Sequence, residues 1–272
     1  MRVLVASDSH LSPRSPEAGS NWAAVAREAG RLKPELVVHA GDLTLDGIGT
    51  PEELAWARAR LDELPVPWAA VPGNHDIGDT PGPPQLDLDR LEAWRGHIGP
   101  DRWSLQLGAW TLLGLNAHLF DSNLSEETEQ WTWIEQQLAE QPRNRPVALI
   151  LHKPLTAPDA ELSAAPRYRF VMPGGRARLL ELLASRWCPL VVSGHVHQYR
   201  LLGDRHRRHA WAPTSWAVLP DSAQANVGLK RSGVLSLELE PGGSVRVELL
   251  EPAGLAQLTI GEDIVDPYQT GS

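Results

Sequence analysis

Residues 3–10 read Val3-Leu4-Val5-Ala6-Ser7-Asp8-Ser9-His10. A short unbroken apolar run is the pattern of a strand buried on both faces, and this one delivers Asp8 and His10, two side chains that bind metals. The arrangement recurs along the chain. A strand predicted at 36–40 leads to Gly41 and Asp42, and one at 68–71 leads to Gly73, Asn74 and His75. One at 147–152 ends on His152, and one at 190–193 runs into Gly194, His195, Val196 and His197. A further strand is expected at 110–116.

Helical patterns fit between these strands at 21–31, 51–61, 86–98, 125–140 and 176–185. Strands inside with helices covering them predict an α/β fold. The helix at 51–61 has Thr50 as its expected N-cap, Pro51 in the first turn, and Glu52 and Glu53 where the helix dipole favours acids. After His197 the segments 233–240 and 244–250 alternate around Pro241, Gly242 and Gly243, the signature of an antiparallel hairpin. The chain reads as a single domain over 1–260, its part beyond about 199 mostly antiparallel β, with a tail at 261–272. No repeat or separate linker is evident.

In α/β sheets functional groups gather at the carboxyl ends of the strands, so ligands far apart in sequence are expected to meet at one edge. Together Asp8, His10, Asp42, Asn74, His152, His195 and His197 supply enough oxygen and nitrogen donors for two adjacent divalent ions. Gly41, Gly73 and Gly194 each precede a ligand segment, where glycine permits a positive-φ turn or a close backbone approach. On an extended segment His195 and His197 would point the same way, with Val196 turned from them.

The bulk properties bound the rest. At 272 residues, 42% hydrophobic and 22% charged, the chain suits one large core. Cys188 is the single cysteine, which excludes a disulfide framework or a cysteine-cluster metal site. A net charge of −9 argues against nucleic acid polymers as partners and leaves small phosphate esters as ligands. No long apolar run and no leader layout is present, so no membrane association and a cytoplasmic location are expected.

The blocks Asp8-Ser9-His10, Gly41-Asp42, Gly73-Asn74-His75-Asp76, His152 and Gly194-His195-Val196-His197 resemble the calcineurin-like metallophosphoesterase superfamily. Any one block is weak, but five in the family's order at strand ends are specific, and they cover about the first two hundred residues. The resemblance implies a four-layer α/β/β/α sandwich of two mixed β-sheets with helices on the outer faces. It implies that Asp8, His10 and His197 bind one ion, that Asn74, His152 and His195 bind the other, and that Asp42 bridges them. Two such ions attract phosphate and acidify a bridging water into the hydroxide nucleophile. His75 would stay off the ions, meet substrate and protonate the leaving oxygen, oriented by a carboxylate, either Asp76 or Asp46. Mn, Fe, Zn and Co all suit such a donor set.

Within the superfamily, Gly41-Asp42-Leu43-Thr44 and Gly194-His195-Val196-His197-Gln198 are similar to bacterial class III cyclic nucleotide phosphodiesterases and their glycerophosphodiesterase relatives. The tyrosine of purple acid phosphatases and the arginines of Ser/Thr protein phosphatases have no counterpart here. Lys153 stands where that bacterial group often has a second histidine, and either adds a phosphate-binding charge beside Asn74 and His75 or points to solvent. The long connection after it holds Arg167 and Arg169, which bind substrate in a lid or sit on a solvated loop. Trp211 and Trp216 follow the histidine pair and could flank the pocket. Among the remaining histidines His39 stands nearest the ligands in sequence.

The function expected is a dinuclear hydrolase of small phosphate esters, a phosphodiesterase first. A phosphomonoesterase or a silent scaffold of the same fold are the alternatives. The polar segment at 221–231 reads as a lid or as the arm of a homodimer.

Overall fold

The computed structural model describes residues 1–80, 82, 84–204 and 206–267, with the backbone alone for Arg167. Its first sheet has five strands in the order β11-β10-β1-β2-β3: β1 (Arg2–Ala6), β2 (Leu36–His39), β3 (Trp68–Ala70), β10 (Val234–Leu239) and β11 (Val245–Leu250). The second has six in the order β4-β5-β6-β7-β9-β8: β4 (Trp103–Leu107), β5 (Trp110–Leu115), β6 (Val147–Leu151), β7 (Leu190–Ser193), β8 (Arg200–Gly203) and β9 (Arg208–Trp211). Both sheets are mixed. β1, β2 and β3 run parallel in one, with β10 antiparallel to β1 and β11 antiparallel to β10, and β5, β6, β7 and β9 run parallel in the other, with antiparallel β4 and β8 at its two edges.

Side-chain alternation explains the layering. Successive residues of a strand face opposite sides, so in β1 Val3 and Val5 enter one core while Leu4 and Ala6 enter another. The first of these is the seam between the sheets, where Val3, Val5 and Val38 pack with Leu112, Ile150 and Val192. Leu4 and Val37 face helices α1 (Pro16–Leu32), α2 (Glu52–Asp62) and, beyond a single helical turn α3 (Asn74–Ile77), α4 (Leu88–His97). On the far side Leu113, Leu149 and Leu151 face α5 (Ser125–Glu140) and, past a short α6 (Asp159–Ala164), α7 (Pro173–Ala184). Strands that must be apolar on both faces are why these segments carry no polar alternation, and the result is the four-layer sandwich. Indole donors tie the seam, with Trp110 Nε1 giving to Glu240 O at 2.7 Å and Trp103 Nε1 to Ala70 O at 2.7 Å.

Several expected boundaries move. Helix α1 begins at Pro16 rather than 21 and α7 at Pro173 rather than 176, each with its proline in the first turn, where a missing N–H costs nothing. Thr50 does not cap α2. Pro51 holds that position in helical conformation, with no side-chain hydrogen bond to the helix. Strand β4 was not foreseen, and β8 and β9, given no bounds in the sequence, fall in the part expected to be antiparallel sheet. β4 and β8 are edge strands with exposed positions, which blurs the apolar signal. The segment from Gly261 turns back, with Gly261 N donating to Ile264 O at 2.8 Å, and Ile264, Val265 and Pro267 line a cavity. Residues 268–272 of the expected tail lie outside the described residues. Among the described residues no helix is long and apolar enough to cross a membrane.

Candidate metal centre

The loops after β1, β2, β3, β6 and β7 leave the carboxyl ends of parallel strands and meet between the two sheets. Backbone pairing carries the β1–β2 register into the loops, since Asp8 N donates to Gly41 O (2.9 Å), His10 N to Asp42 O (3.1 Å) and Leu11 N to Leu43 O (2.8 Å). The backbone then bends sharply at the ligands themselves. Asp8 (φ 51°), His10 (45°), Asp42 (52°), His195 (70°) and His197 (56°) all lie in the left-handed region, sparsely populated except by glycine and, to a lesser degree, Asn, Asp and His. His195 and His197 therefore do not alternate on an extended segment. Two left-handed residues turn the chain so that the histidines part, while Val196 is buried against Phe170 and Trp211.

The glycines do a different task from the ligands. Gly41 has a positive φ of 94°, and a side chain there would strike His152. Gly73 is extended (φ −110°), and Gly194 too has no positive φ; each leaves room, the first for Asp42 and the second for Ser7 and Asp8. Close approach of loops, more than backbone freedom, makes those two positions glycine.

Two donor clusters result. Asp8, His10, Asp42 and His197 present atoms that lie within 4.8 Å of one another, and so do Asp42, His152 and His195. Asp42 belongs to both. Its Oδ1 accepts from His75 N at 2.9 Å, while Oδ2 lies 3.2 Å from His152 Nε2 and 3.9 Å from His10 Nε2. His197 Nε2 lies 3.2 Å from His10 Nε2 and 3.4 Å from Asp8 Oδ1. His195 Nδ1 stands 3.2 Å from His152 Nε2. Donors about 2.1 Å from one ion are spaced roughly 3 Å apart, so these gaps match a shared cation.

Three further observations test that fit. His152 Nδ1 donates to Ala40 O (2.8 Å) and His197 Nδ1 to Ala217 O (2.7 Å). A carbonyl only accepts, so each ring keeps Nε2 for an ion, the usual outer-shell arrangement of a metal-bound histidine. Burial holds His10 and His195 well below the ordinary imidazole range, hence neutral and able to donate a lone pair. Asn74 Oδ1 is buried with no hydrogen-bond partner among the described residues, and it projects from the same block as His75. A buried carbonyl oxygen left unpaired is costly unless something positive meets it. The residues present fit a pair of divalent ions.

Electrostatics around Asp42 point the same way. Burial opposes its charge, yet His152, His75 and His10 hold it well below the ordinary carboxylate range. Against its own burial, His152 is raised to about 9 by Asp42. A cation held by His152 would compete with that proton.

His75 is oriented differently from expectation. Its Nδ1 donates to Leu45 O at 3.0 Å, a backbone carbonyl instead of a carboxylate. Asp76 turns inward and accepts from Gly73 N (2.8 Å), Leu43 N (3.1 Å), Thr44 N (2.8 Å) and Thr44 Oγ1 (2.7 Å), bolting the loop of Asp42 to that of Asn74. Burial and the nearby Asp42 push its carboxyl up to about 6. Asp46 accepts from Gly49 N (2.9 Å) and lies 3.4 Å from Arg14.

The substrate contacts expected from sequence divide. Asn74 and His75 line both a cavity of about 870 Å³ and an adjoining cleft of about 210 Å³, and Arg169 lines the cleft. Lys153 does neither thing foreseen for it. Its side chain is 1% exposed and its Nζ is paired with Asp79 and donates to Thr80 O at 3.1 Å. The side chain of Arg167 lies outside the described residues. Trp216 lines the large cavity with its ring 5.0 Å from His10, whereas Trp211 is buried under Phe170 and Arg200. His39 sits behind the site, bonded to Ser9 Oγ at 2.8 Å. His97, His206 and His209 line neither cavity. The segment 221–231 contributes Ala223 and Gln224 to the wall of the cleft.

Sequence reasoning missed Asp79, and gave no particular role to His118 among the remaining histidines or to Tyr168 in the long connection after Lys153. Asp79 and Tyr168 line both cavities, and His118 Nδ1 reaches Asp79 Oδ1 at 3.0 Å with its ring 5.7 Å from that of His152. Asp79 follows Asn74 by five positions, which was the available signal. Nothing in the spacing links it to a lysine 74 residues away.

Comparison with known proteins agrees with this geometry. The chain is 28% identical over 237 residues to a probable cyclic nucleotide phosphodiesterase of Synechococcus, covering 84% of this chain and 80% of that protein. It is 31% identical over 178 residues to the serine/threonine-protein phosphatase CPPED1 of Danio rerio (61% and 55% covered). It is 30% identical over 172 residues to a probable glycerophosphodiester phosphodiesterase, GpdQ, of Arcobacter nitrofigilis (61% and 58% covered). The chain thus spans little more than half the length of the latter two. The calcineurin-like phosphoesterase profile matches residues 1–199, which hold every donor of the two clusters, and the chain belongs to that family of phosphate ester hydrolases.

Proposed function

We propose that the chain hydrolyses small phosphodiesters, cyclic nucleotides among them, with two divalent ions of the Mn, Fe or Zn type at the paired clusters. Asp8, His10 and His197 would hold one ion, Asn74, His152 and His195 the other, and Asp42 both. Bound there, the ions supply Lewis acidity, a water made nucleophilic, and a clamp on the phosphate oxygens.

The observation that supports a diester is the likeness, over 84% of this chain, to a probable cyclic nucleotide phosphodiesterase, and the cavity of about 870 Å³ lined by Asn74 and His75 leaves room for a sizeable organic portion. Leu45, Ile48, Trp216 and Val265 make part of its lining apolar, alongside Arg14, Glu17 and Asp46. A bare phosphate leaves such a space unfilled, while the organic portion of a phosphate ester occupies it. His75 spends Nδ1 on Leu45 O, so Nε2 is the nitrogen that serves the departing oxygen. General acid help of that kind is worth about 10²–10⁴-fold.

A phosphomonoesterase is the second reading, favoured by the likeness to CPPED1. The Mn-reconstituted protein, assayed on bis-p-nitrophenyl phosphate, p-nitrophenyl phosphate and 3′,5′-cyclic nucleotides, separates the two. The expected result is a higher kcat/KM for diesters and its loss in Asn74→Ala. A reversed preference establishes the monoesterase, and no turnover of any ester overturns the enzymatic reading.

A further inference from the structure

We infer that Lys153 and Asp79 form a positioning pair for the second cluster, the one holding Asn74, His152 and His195. The inference rests on the two-ion reading above. Lys153 follows His152 directly at the end of β6, and Asp79 comes just after the helical turn that carries Asn74. Their ion pair is a side-chain link between a ligand loop of the first sheet and a ligand loop of the second.

The link is built to be rigid. Lys153 is enclosed, and Nζ is bound to Asp79 and to Thr80 O at 3.1 Å. Asp79 Oδ1 also accepts from Thr80 N at 2.6 Å and meets His118 Nδ1 at 3.0 Å. His118 itself is fully buried, its backbone N fixed at 3.0 Å to Asn116 Oδ1. Low local dielectric strengthens each of these bonds and makes an unpaired member costly. Asn74 and His152 belong to different sheets and so have no strand ladder in common; the pair sets the separation of their donors instead. No role in touching phosphate is open to Lys153 in this geometry.

The test is ion binding, read apart from turnover. Apo protein is titrated with Mn²⁺, following stoichiometry by calorimetry and the spin-coupled signal of a two-ion centre by electron paramagnetic resonance. Wild type is expected to take two ions. Lys153→Met is expected to keep one ion and weaken the second by about 10–100-fold, the usual cost of losing an outer-shell partner, with the coupled signal replaced by that of an isolated ion. Because Lys153→Met leaves the carboxylate of Asp79 with only Thr80 N and His118 as partners among the described residues, the double variant Lys153→Met, Asp79→Leu exchanges the pair for apolar side chains of similar size. It should fold and lose no more affinity than Lys153→Met alone. Leu183→Ala, in the core between the second sheet and α7 and away from the candidate ligands, should lower Tm and keep both ions. Two ions at wild-type affinity in Lys153→Met overturn the proposal, as does an equal loss at both clusters in the folded double variant. A wild-type chain that takes up a single ion overturns the two-ion reading together with the role of the pair.

Discussion

The two donor clusters sit side by side and share Asp42, yet they are held by different means. In the first, each private ligand is in the left-handed region: Asp8, His10 and His197. In the second, only His195 is, while Asn74 stands on a helical turn and His152 at the end of a strand. Each left-handed residue costs about 1–2 kcal/mol, and such strain persists only where the surroundings enforce it. Asp8 and His10 of the first cluster are thus fixed through their backbone, by loops whose ladder bonds continue from β1 and β2, while His197 comes from the loop after β7 and is held at Nδ1 by Ala217 O. The second has ordinary backbone at two of its ligands and leans on side chains, Asp76 beneath and Lys153 with Asp79 across the seam. One half of the centre is aimed by strain, the other by buttressing.

Removing the shared ligand should have the largest effect. Asp42→Ala is expected to abolish ion uptake at both clusters and to lower kcat/KM for bis-p-nitrophenyl phosphate by at least about 10³-fold, since ions of this kind contribute several kcal/mol to the transition state. If one cluster keeps its ion at wild-type affinity, the two are not joined through Asp42. Chelation comes next. An ion at a hundredfold its Kd stabilises by about 2.7 kcal/mol, so stripping the protein should lower Tm by roughly 5–10 °C per site. Amide exchange should then rise more at 74–79 than at 8–11, because the latter are held by the backbone ladder. An equal rise at both would erase the distinction between the clusters.

The smallest effect tests the strain itself. Lys33, the exposed C-cap of α1, has φ 48° and binds nothing in the centre. Lys33→Gly is expected to stabilise by about 0.5–1 kcal/mol, the relief of the left-handed conformation less the entropy of a freer unfolded chain, seen as a small rise in Tm. A fall in Tm at Lys33 would mean that left-handed backbone carries no cost here, and the contrast between the clusters would then lose its energetic basis.

Much of this centre was legible from residue types and order. Runs such as Val3-Leu4-Val5-Ala6 and Val147 to Leu151, apolar at every position, mark strands covered on both faces, and the groups at their ends follow from where parallel strands place their loops. The structure brings Asp8, His10, Asp42 and His197 together, and Asp42 with His152 and His195, the grouping that the family resemblance implies. Other features were out of reach of any local pattern. The turn between His195 and His197 was read as extended because left-handed backbone at a histidine leaves no mark in hydrophobic periodicity. The carbonyl of Leu45 that orients His75 belongs to the main chain, which every residue carries alike. The pairing of Lys153 with Asp79, and Asp76 turned inward as a bolt, depend on which loops meet across two sheets. Strand ends and donor chemistry are written in short-range order, whereas partners brought from 74 positions apart are chosen by how the sheets stack. The amino-acid sequence alone thus determined the layered frame and the donors it presents; the tertiary structure decided which buried charges hold those donors in place, because a charge finds its partner only once packing has excluded water.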